Sequence, residues 1–534
     1  MLILGIDTGG TYTDGVIVER ETKRVLCTAK ALTTQNDLTI GMENCMRALP
    51  FDRWEEIGLV SLSTTLATNA IVEGRGCRVG LVVMGKKPEG QLPAEVCVTL
   101  NARVDIRGGV RERLAQGELH EALLRLHGRC DAVAVSGYAS VRNPAHELQA
   151  ARAADALLGL PVVCGHQLTG ALGFYERTVT AVLNARLIPI IRDLIATVCR
   201  VMTRFGIDAP VMVVRGDGSL MRADYAGERP VETVLSGPAA SVIGARFLSG
   251  REDCVVVDMG GTTTDIACLK NGVCALSDEG ARLAGWRTRV RALEICTYGL
   301  GGDSEIKIGR DGRAEIGPRR VLPLCRARDG AQDAGLTPTD LLHITGEYRR
   351  WNTARAMRGA ADEAARCART PEALAASLRA EVAERLAAYC RDGMAAFGAA
   401  HAAVLVGVGA PARIWLAEAA KRLGLRAAVP PYAEVANAVG AAVGEIRETA
   451  WTLVRPNKLG SSYFVYTETE RQRADDLEQA EERALRCARE AAARKARRAG
   501  AAVFQITESR QRVEDETGEL IELRLRATAC GDPQ

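Results

Sequence analysis

No two cysteines stand closer than Cys268 and Cys274, so the 16 cysteines contain no C-x-x-C pair. Thiols scattered through a large chain predict a reducing cytoplasm, where they serve as small buried hydrophobes rather than as a disulfide framework. The six histidines are not clustered and give no separate route to a metal. Cys164 with His166 and His127 with Cys130 are near-pairings, but neither has a second pair at zinc-type spacing, so both read as chance. A charge excess is also missing: 69 Lys and Arg stand against 66 Asp and Glu, a net +3. That balance excludes a dedicated nucleic-acid binder. The longest apolar run, about Ala402 to Ala412, falls short of the ~18–20 residues of a spanning helix. The opening run Met1–Ile6 is broken by Asp7 and has no basic flank, so no signal peptide is expected. At 47% hydrophobic and 25% charged, the chain is not disordered. Its 534 residues predict three to four domains at ~150 each.

What the chain does contain is a repeat. Residues 6–14 read I-D-T-G-G-T-Y-T-D and residues 257–265 read V-D-M-G-G-T-T-T-D. Each copy follows an apolar run (Leu2–Ile6, Cys254–Val257) and precedes another (Gly15–Val18, Ile266–Leu269) before turn residues arrive. Each therefore predicts strand, glycine turn, strand, opening an α/β domain. Further strands are expected over Val60–Ser63, Cys77–Met84, Asp131–Ser136, Pro161–Cys164 and Ala402–Val408. The unbroken apolar character of Cys77–Met84 is that of a buried parallel sheet. Helices are expected after a Thr64–Thr65 cap, over Phe174–Val198 with Pro189 inside, over 353–399, Pro411–Leu423 and Glu434–Ile446. Ala436, Gly440 and Gly444 put small residues on one face, where something packs closely. Pro456–Gly460 reads as a linker. Beyond it a β-α-β-β unit is expected, with a charged helix over Arg471–Arg498 whose interleaved acid and base mark a solvated face.

A D-x-G-G-T turn presents successive backbone N–H groups with no Cβ in the way, which is how backbone concavities bind phosphate. Thr11, Thr13, Thr262, Thr263 and Thr264 add hydroxyls. Asp7 and Asp258, just before the turns, suit Mg²⁺ held through its waters. One such turn could be an ordinary hairpin; two near-identical copies favour phosphate. Val406-Gly407-Val408-Gly409-Ala410, between a strand and a helix, fits the place where a nucleotide's sugar or base lies.

This order of motifs resembles the actin/Hsp70/sugar-kinase ATPase superfamily and, more closely, the hydantoinase A/5-oxoprolinase family. The resemblance rests on Gly5–Asp14, Ser63–Ala70, Asn143–Glu147, Tyr175–Arg177 with Asn184, Leu235–Ala240 and Asp258–Thr262, and covers about residues 1–450. It implies an α/β chain of two actin-like (ribonuclease H-like) domains facing a nucleotide cleft, over 1–235 and 236–455, with a small α+β unit over 461–530. It implies ATP and Mg²⁺ as cofactors and a cytoplasmic enzyme subunit that opens a cyclic amide by phosphorylating its carbonyl oxygen. A hydantoinase-B-like partner goes with that activity; neither nucleic acid nor membrane does, and the oligomeric state is left open. A small-molecule kinase and a nucleotide-driven activator of a partner protein are the alternatives. Gly9, Gly10, Thr11, Thr13, Gly260, Gly261, Thr262 and Thr263 are expected to cradle phosphates, Gly407 and Gly409 to flank adenosine, and Asp7 and Asp258 to hold the metal. Thr65, Asn69, Glu176 and Arg177 are candidates for the substrate side; the plainer alternatives are a helix cap for Thr65 and an ion pair for Glu176–Arg177. The chain departs from the family pattern at Cys296, where a histidine is expected, at Asp303, where a glycine is expected, and at Pro411-Ala412-Arg413, where a histidine often follows the adenosine motif.

Overall fold

The computed structural model describes residues 1–34, 37–277, 279–309, 313–326, 335–399, 402–457 and 462–534. Lys458, Leu459 and Gly460 of the expected linker, and residue 461 at the start of the expected C-terminal unit, lie outside them. The chain is α/β with mixed sheets, and two of the sheets share a plan. In the first, Arg24–Leu32, Tyr12–Glu19, Leu2–Thr8, Ile57–Thr64 and Val211–Val214 lie side by side, followed by Leu220–Arg222. In the second the order is Val273–Cys274, Thr264–Lys270, Cys254–Met259, Val404–Val408 and Arg426–Ala428. In both, the first three strands are antiparallel and the fourth and fifth join in parallel; Leu220–Arg222 then adds antiparallel to the first sheet. The glycine hairpins thus occupy equivalent places, each at the end of a central strand.

Two helices pack between these sheets. Ser236–Ser249 touches the second sheet and the strand Ile57–Thr64, and Ala436–Val443 lies on Leu2–Thr8 and Tyr12–Glu19. Their backbones nearly touch: a Cβ on Gly440 would lie 1.8 Å from the Ala240 carbonyl oxygen, and one on Gly244 2.0 Å from that of Ala436. The small-residue face expected at Ala436 and Gly440 is this crossing. Gly444 faces Leu220 instead, and its extended backbone ends the helix, so the element expected to reach Ile446 stops at Val443 and a strand begins at Ile446.

The run at 77–84 forms the strand Val79–Met84 in an all-parallel sheet with Val96–Leu100, Ala132–Gly137 and Val162–Cys164. Its alternate residues enter different cores: Val82 and Met84 pack with Ala150 and Ala154, while Val79, Leu81 and Val83 pack with Ala181, Val182 and Ala185. The latter belong to the helix Phe174–Arg204, whose Val179, Leu183, Leu187, Ile191 and Val198 enter the core of the first sheet. One helix with two apolar faces therefore joins the inserted layer to the first sheet. Pro189 lacks the N–H that would bond the Ala185 carbonyl; the Cys77 thiol donates to that oxygen instead, at 3.4 Å.

At the C-terminal end five antiparallel strands are ordered Arg471–Ala474, Tyr463–Tyr466, Ile446–Pro456, Leu520–Pro533, Ala501–Glu514. The expected helix over Arg471–Arg498 is a strand to Ala474 and then a helix from Leu477 to Ala499, because Asp476 caps it by accepting from the Gln479 N–H at 2.7 Å. Ala480, Ala484, Ala488, Ala492 and Ala496 form a buried stripe on the sheet, leaving the charged residues outside. The stripe's later alanines share the core of the first sheet. Among the described residues no helix is long and apolar enough to cross a membrane.

Candidate functional site

The two turns have the same internal geometry. Gly9 N–H donates to the Tyr12 carbonyl at 3.0 Å and Gly260 N–H to that of Thr263 at 2.9 Å. Among the described residues, a Cβ on Gly10 would meet nothing within 4 Å. The last threonine of each repeat anchors structure: Thr13 bonds Thr33 at 3.0 Å, and Thr264 donates to the Leu300 carbonyl at 2.6 Å. Thr13 is buried by that contact, whereas Thr262 is exposed and Thr11 and Thr263 partly so.

Each hairpin carries two carboxylates directly opposed across its strands, Asp7 with Asp14 and Asp258 with Asp265. Burial, then the neighbouring Asp14, pushes Asp7 up to about 7, with a smaller push from Asp258 of the other hairpin. Burial and then Asp258 raise Asp265 to about 7 as well. Asp14 is raised by burial against the counter-effect of Lys30, whose Nζ lies 2.6 and 2.7 Å from its oxygens. Asp258 is raised by burial, opposed by the Ser241 hydroxyl that donates to it at 2.5 Å. Ser241 also lies 2.7 Å from Asn437 Oδ1, so the two central helices meet the second hairpin there. Asp7 Oδ1 is buried without a hydrogen-bond partner. Four carboxylates against one lysine, with one oxygen orphaned, is a donor set that fits a hard divalent cation such as Mg²⁺.

Gly409 belongs to this centre. Its φ is +84°, and a Cβ there would lie 2.8 Å from Asp258 Oδ1 and 2.3 Å from the Met259 carbonyl. Gly407 does not: its α-hydrogen faces Leu416, where a Cβ would come within 2.6 Å, so its smallness seats the helix Ala412–Leu423 on its strand.

Thr65 and Asn69 adjoin the first turn. The Thr65 N–H points at the Thr8 carbonyl at 3.4 Å, and Asn69 Nδ2 reaches Thr65 Oγ1 at 3.4 Å. The cap on this helix comes from Thr64, whose hydroxyl accepts from Leu66 N–H at 3.1 Å; Thr65 makes no side-chain cap. Glu176 and Arg177 diverge. Glu176 lies 3.7 Å from Arg287, while Arg177 is fully buried in the inserted layer, donating to the carbonyls of Gly137 (2.6 Å) and Tyr138 (2.8 Å). Beside it Glu147, Cys164 and His166 come together. Glu147 already accepts from Gly137 N–H at 2.8 Å, from His166 N–H at 3.0 Å and from His166 Nδ1 at 2.5 Å. The trio is internally satisfied.

The segment around Cys296 runs along the second hairpin. Thr297, opposite Asp265, donates to it at 2.6 Å. Cys296 contacts Tyr298, which stacks on Tyr389 at 4.3 Å, and burial raises its thiol. Gly302 N–H and Asp303 N–H donate to the carbonyls of Gly260 (3.0 Å) and Gly261 (2.7 Å). Asp14, Lys30, Ser241, Asp265 and Asn437 were not singled out from sequence. Asp14 and Asp265 carried a signal, since both recur in the repeat.

A family profile described as "Hydantoinase/oxoprolinase" matches residues 177–450, and one for the "Hydantoinase/oxoprolinase N-terminal region" matches residues 3–158. Caprolactamase subunit alpha of Pseudomonas jessenii is 29% identical over 368 residues, 62% of this chain and 52% of that protein. The acetophenone carboxylase gamma subunit of Aromatoleum aromaticum is 27% identical over 368 residues, 59% of this chain and 49% of that protein. The chain thus spans about half the length of the curated relatives it matches. The nucleotide-free structure of acetone carboxylase superposes with a TM-score of 0.77 at 16% identity, covering 99% of this chain and 87% of that one, a likeness of fold. With profiles of one family over both halves and the repeated hairpins at the positions described, the chain belongs to the hydantoinase/oxoprolinase family.

Proposed function

We propose that this chain is the ATP-using subunit of a cyclic-amide hydrolase, and that its two similar sheets are the halves of an actin-like ATPase closing on nucleotide. The observation that carries this reading is the pair of equivalent glycine hairpins, with Asp7 and Asp258 near enough to raise one pKa through the other. The lack of any described residue against a Cβ on Gly10 supports a phosphate there, with Gly9, Thr11, Gly260, Gly261, Thr262 and Thr263 around the chain of phosphates. Asp7 and Asp258 would hold Mg²⁺, which supplies charge neutralisation along the phosphates when bound. Gly409 would border the adenosine. Thr65 and Asn69, beside the first turn, would orient a carbonyl substrate; Glu176 and Arg177, bound to the inserted layer, would act on substrate only through the layer they hold in place.

The chemistry asks for position and charge more than for a nucleophile. An amide oxygen attacks poorly and its carbon is a poor electrophile. Transfer of the γ-phosphoryl group to that oxygen releases ADP; water then attacks the activated carbon, the C–N bond breaks so that the ring opens to an amine and an acyl phosphate, and a second water hydrolyses the acyl phosphate to carboxylate and phosphate. Caprolactamase among the relatives supports a lactam or hydantoin as substrate and a second subunit as partner. A second reading, a subunit of an ATP-dependent ketone carboxylase, is favoured by the acetophenone carboxylase relative.

ADP release with Mg²⁺-ATP decides between them, measured alone and with hydantoin, 5-oxoproline and simple lactams, then with acetophenone and bicarbonate. Stimulation by a ring amide with ring-opened product supports the first reading, and stimulation by ketone with bicarbonate the second. Asp258→Asn should abolish turnover with the fold intact; full turnover in that variant sinks the nucleotide assignment.

A further inference from the structure

The two turns are bridged by a guanidinium that belongs to neither copy of the repeat. Arg320 ends the strand Ala314–Arg320. Its Nη2 hydrogen-bonds Thr11 Oγ1 in the first turn and lies 3.1 Å from Asp303 Oδ2. Asp303 sits on the second turn: its N–H holds the Gly261 carbonyl at 2.7 Å, and a Cβ on Gly261 would lie 2.5 Å from its Oδ2. The carboxylate therefore covers the glycine face of the second turn. Among the described residues, Arg320 Nε is buried and has no hydrogen-bond partner, although guanidinium geometry favours a two-pronged anion.

We infer that Arg320, poised between the turns, is the ligand of the terminal phosphate of a nucleoside triphosphate, and that Asp303 is the internal anion which that phosphate replaces. The inference rests on the nucleotide reading above. Two anions in contact at one turn repel each other, so a phosphate at Gly261 displaces the carboxylate. The same arginine can follow the anion, because its fork serves carboxylate and phosphate alike. A diphosphate held on the first turn leaves the Arg320–Asp303 pair standing. A triphosphate long enough to touch both turns breaks it and gains Arg320. The pair thereby distinguishes ATP from ADP, and Asp303 weakens ATP binding.

The test is titration of the full chain with fluorescent ATP and ADP analogues in Mg²⁺, for the wild type, Arg320→Gln, Arg320→Lys and Asp303→Asn. Loss of one charge-assisted contact predicts ATP binding weaker by about tenfold or more in Arg320→Gln, with ADP binding within about threefold of wild type. Arg320→Lys falls between, since it keeps the charge without the fork. Asp303→Asn tightens ATP by about tenfold and leaves ADP unchanged. Retained ADP binding shows that each variant is folded. An unchanged ATP-to-ADP ratio in Arg320→Gln, or weaker ATP binding in Asp303→Asn, overturns the assignment while leaving the nucleotide reading intact. A wild type that binds neither nucleotide overturns both.

Discussion

Alanine in place of two glycines separates packing from chemistry. In Gly440→Ala the new methyl would sit 1.8 Å from the Ala240 carbonyl oxygen, 2.6 Å from its carbon and 2.9 Å from Gly244 N. Ordinary contact needs ~3.5 Å, so the helices must part by roughly 1.7 Å. All three obstacles are backbone, which cannot rotate aside. Alanine gains ~1 kcal/mol in helix propensity. Overpacking of this kind costs ~1–3 kcal/mol or more, and parting the helices also exposes the small residues now buried between them. The net expectation is a loss of about 3 kcal/mol, read as a lower midpoint of the first urea transition. Turnover should fall too, because Ser241 and Asn437, one on each helix, meet at Asp258. Gly10→Ala is the control: with none of the described residues within 4 Å of the new methyl, stability should hold within ~0.5 kcal/mol, while ATP affinity drops about tenfold or more as the methyl enters the phosphate space. A Gly440→Ala protein as stable as wild type would refute the packing argument, and a Gly10→Ala protein with normal ATP affinity would refute the cradle.

Acid should weaken the network in which Arg215 and Arg229 hold Glu232, since burial opposes but these guanidinium groups prevail, holding that carboxyl down at about 2. A depressed carboxylate contributes stability above its unfolded pKa of ~4.3 and loses it as pH falls towards 2; Glu232→Gln should flatten this part of a stability–pH curve and cost about 3 kcal/mol at pH 7. Thr64→Ala should lose about 1 kcal/mol with its cap, and Thr65→Ala under ~0.5 kcal/mol, with Thr65→Ala instead lowering amide-stimulated ADP release relative to basal release. Arg177→Met should lower the thermal midpoint by leaving the Gly137 and Tyr138 carbonyls unpaired, a cost of about 2 kcal/mol or more; an unchanged midpoint would argue against its structural role.

The sequence by itself determined the two hairpins. Their turn bonds, Gly9 to Tyr12 and Gly260 to Thr263, close within four residues, so a local pattern of glycine and flanking apolar runs suffices to specify them. The same holds for the strand Val79–Met84, whose unbroken apolar run marks it as buried on both faces. Tertiary structure alone decided the rest. Gly407 and Gly409 look alike in sequence, but one faces Leu416 and the other Asp258. Arg177 reads as one half of a charged pair until its carbonyl partners, some 40 residues away, are known. Arg320 carries no motif, Asp303 reads only as a departure from an expected glycine, and the bridge from Arg320 to Thr11 spans 309 residues. Contacts of that range leave no period in the chain. They exist because the helices Ser236–Ser249 and Ala436–Val443 cross with almost no side chain between them, bringing the hairpins near enough for Arg320 to reach Thr11.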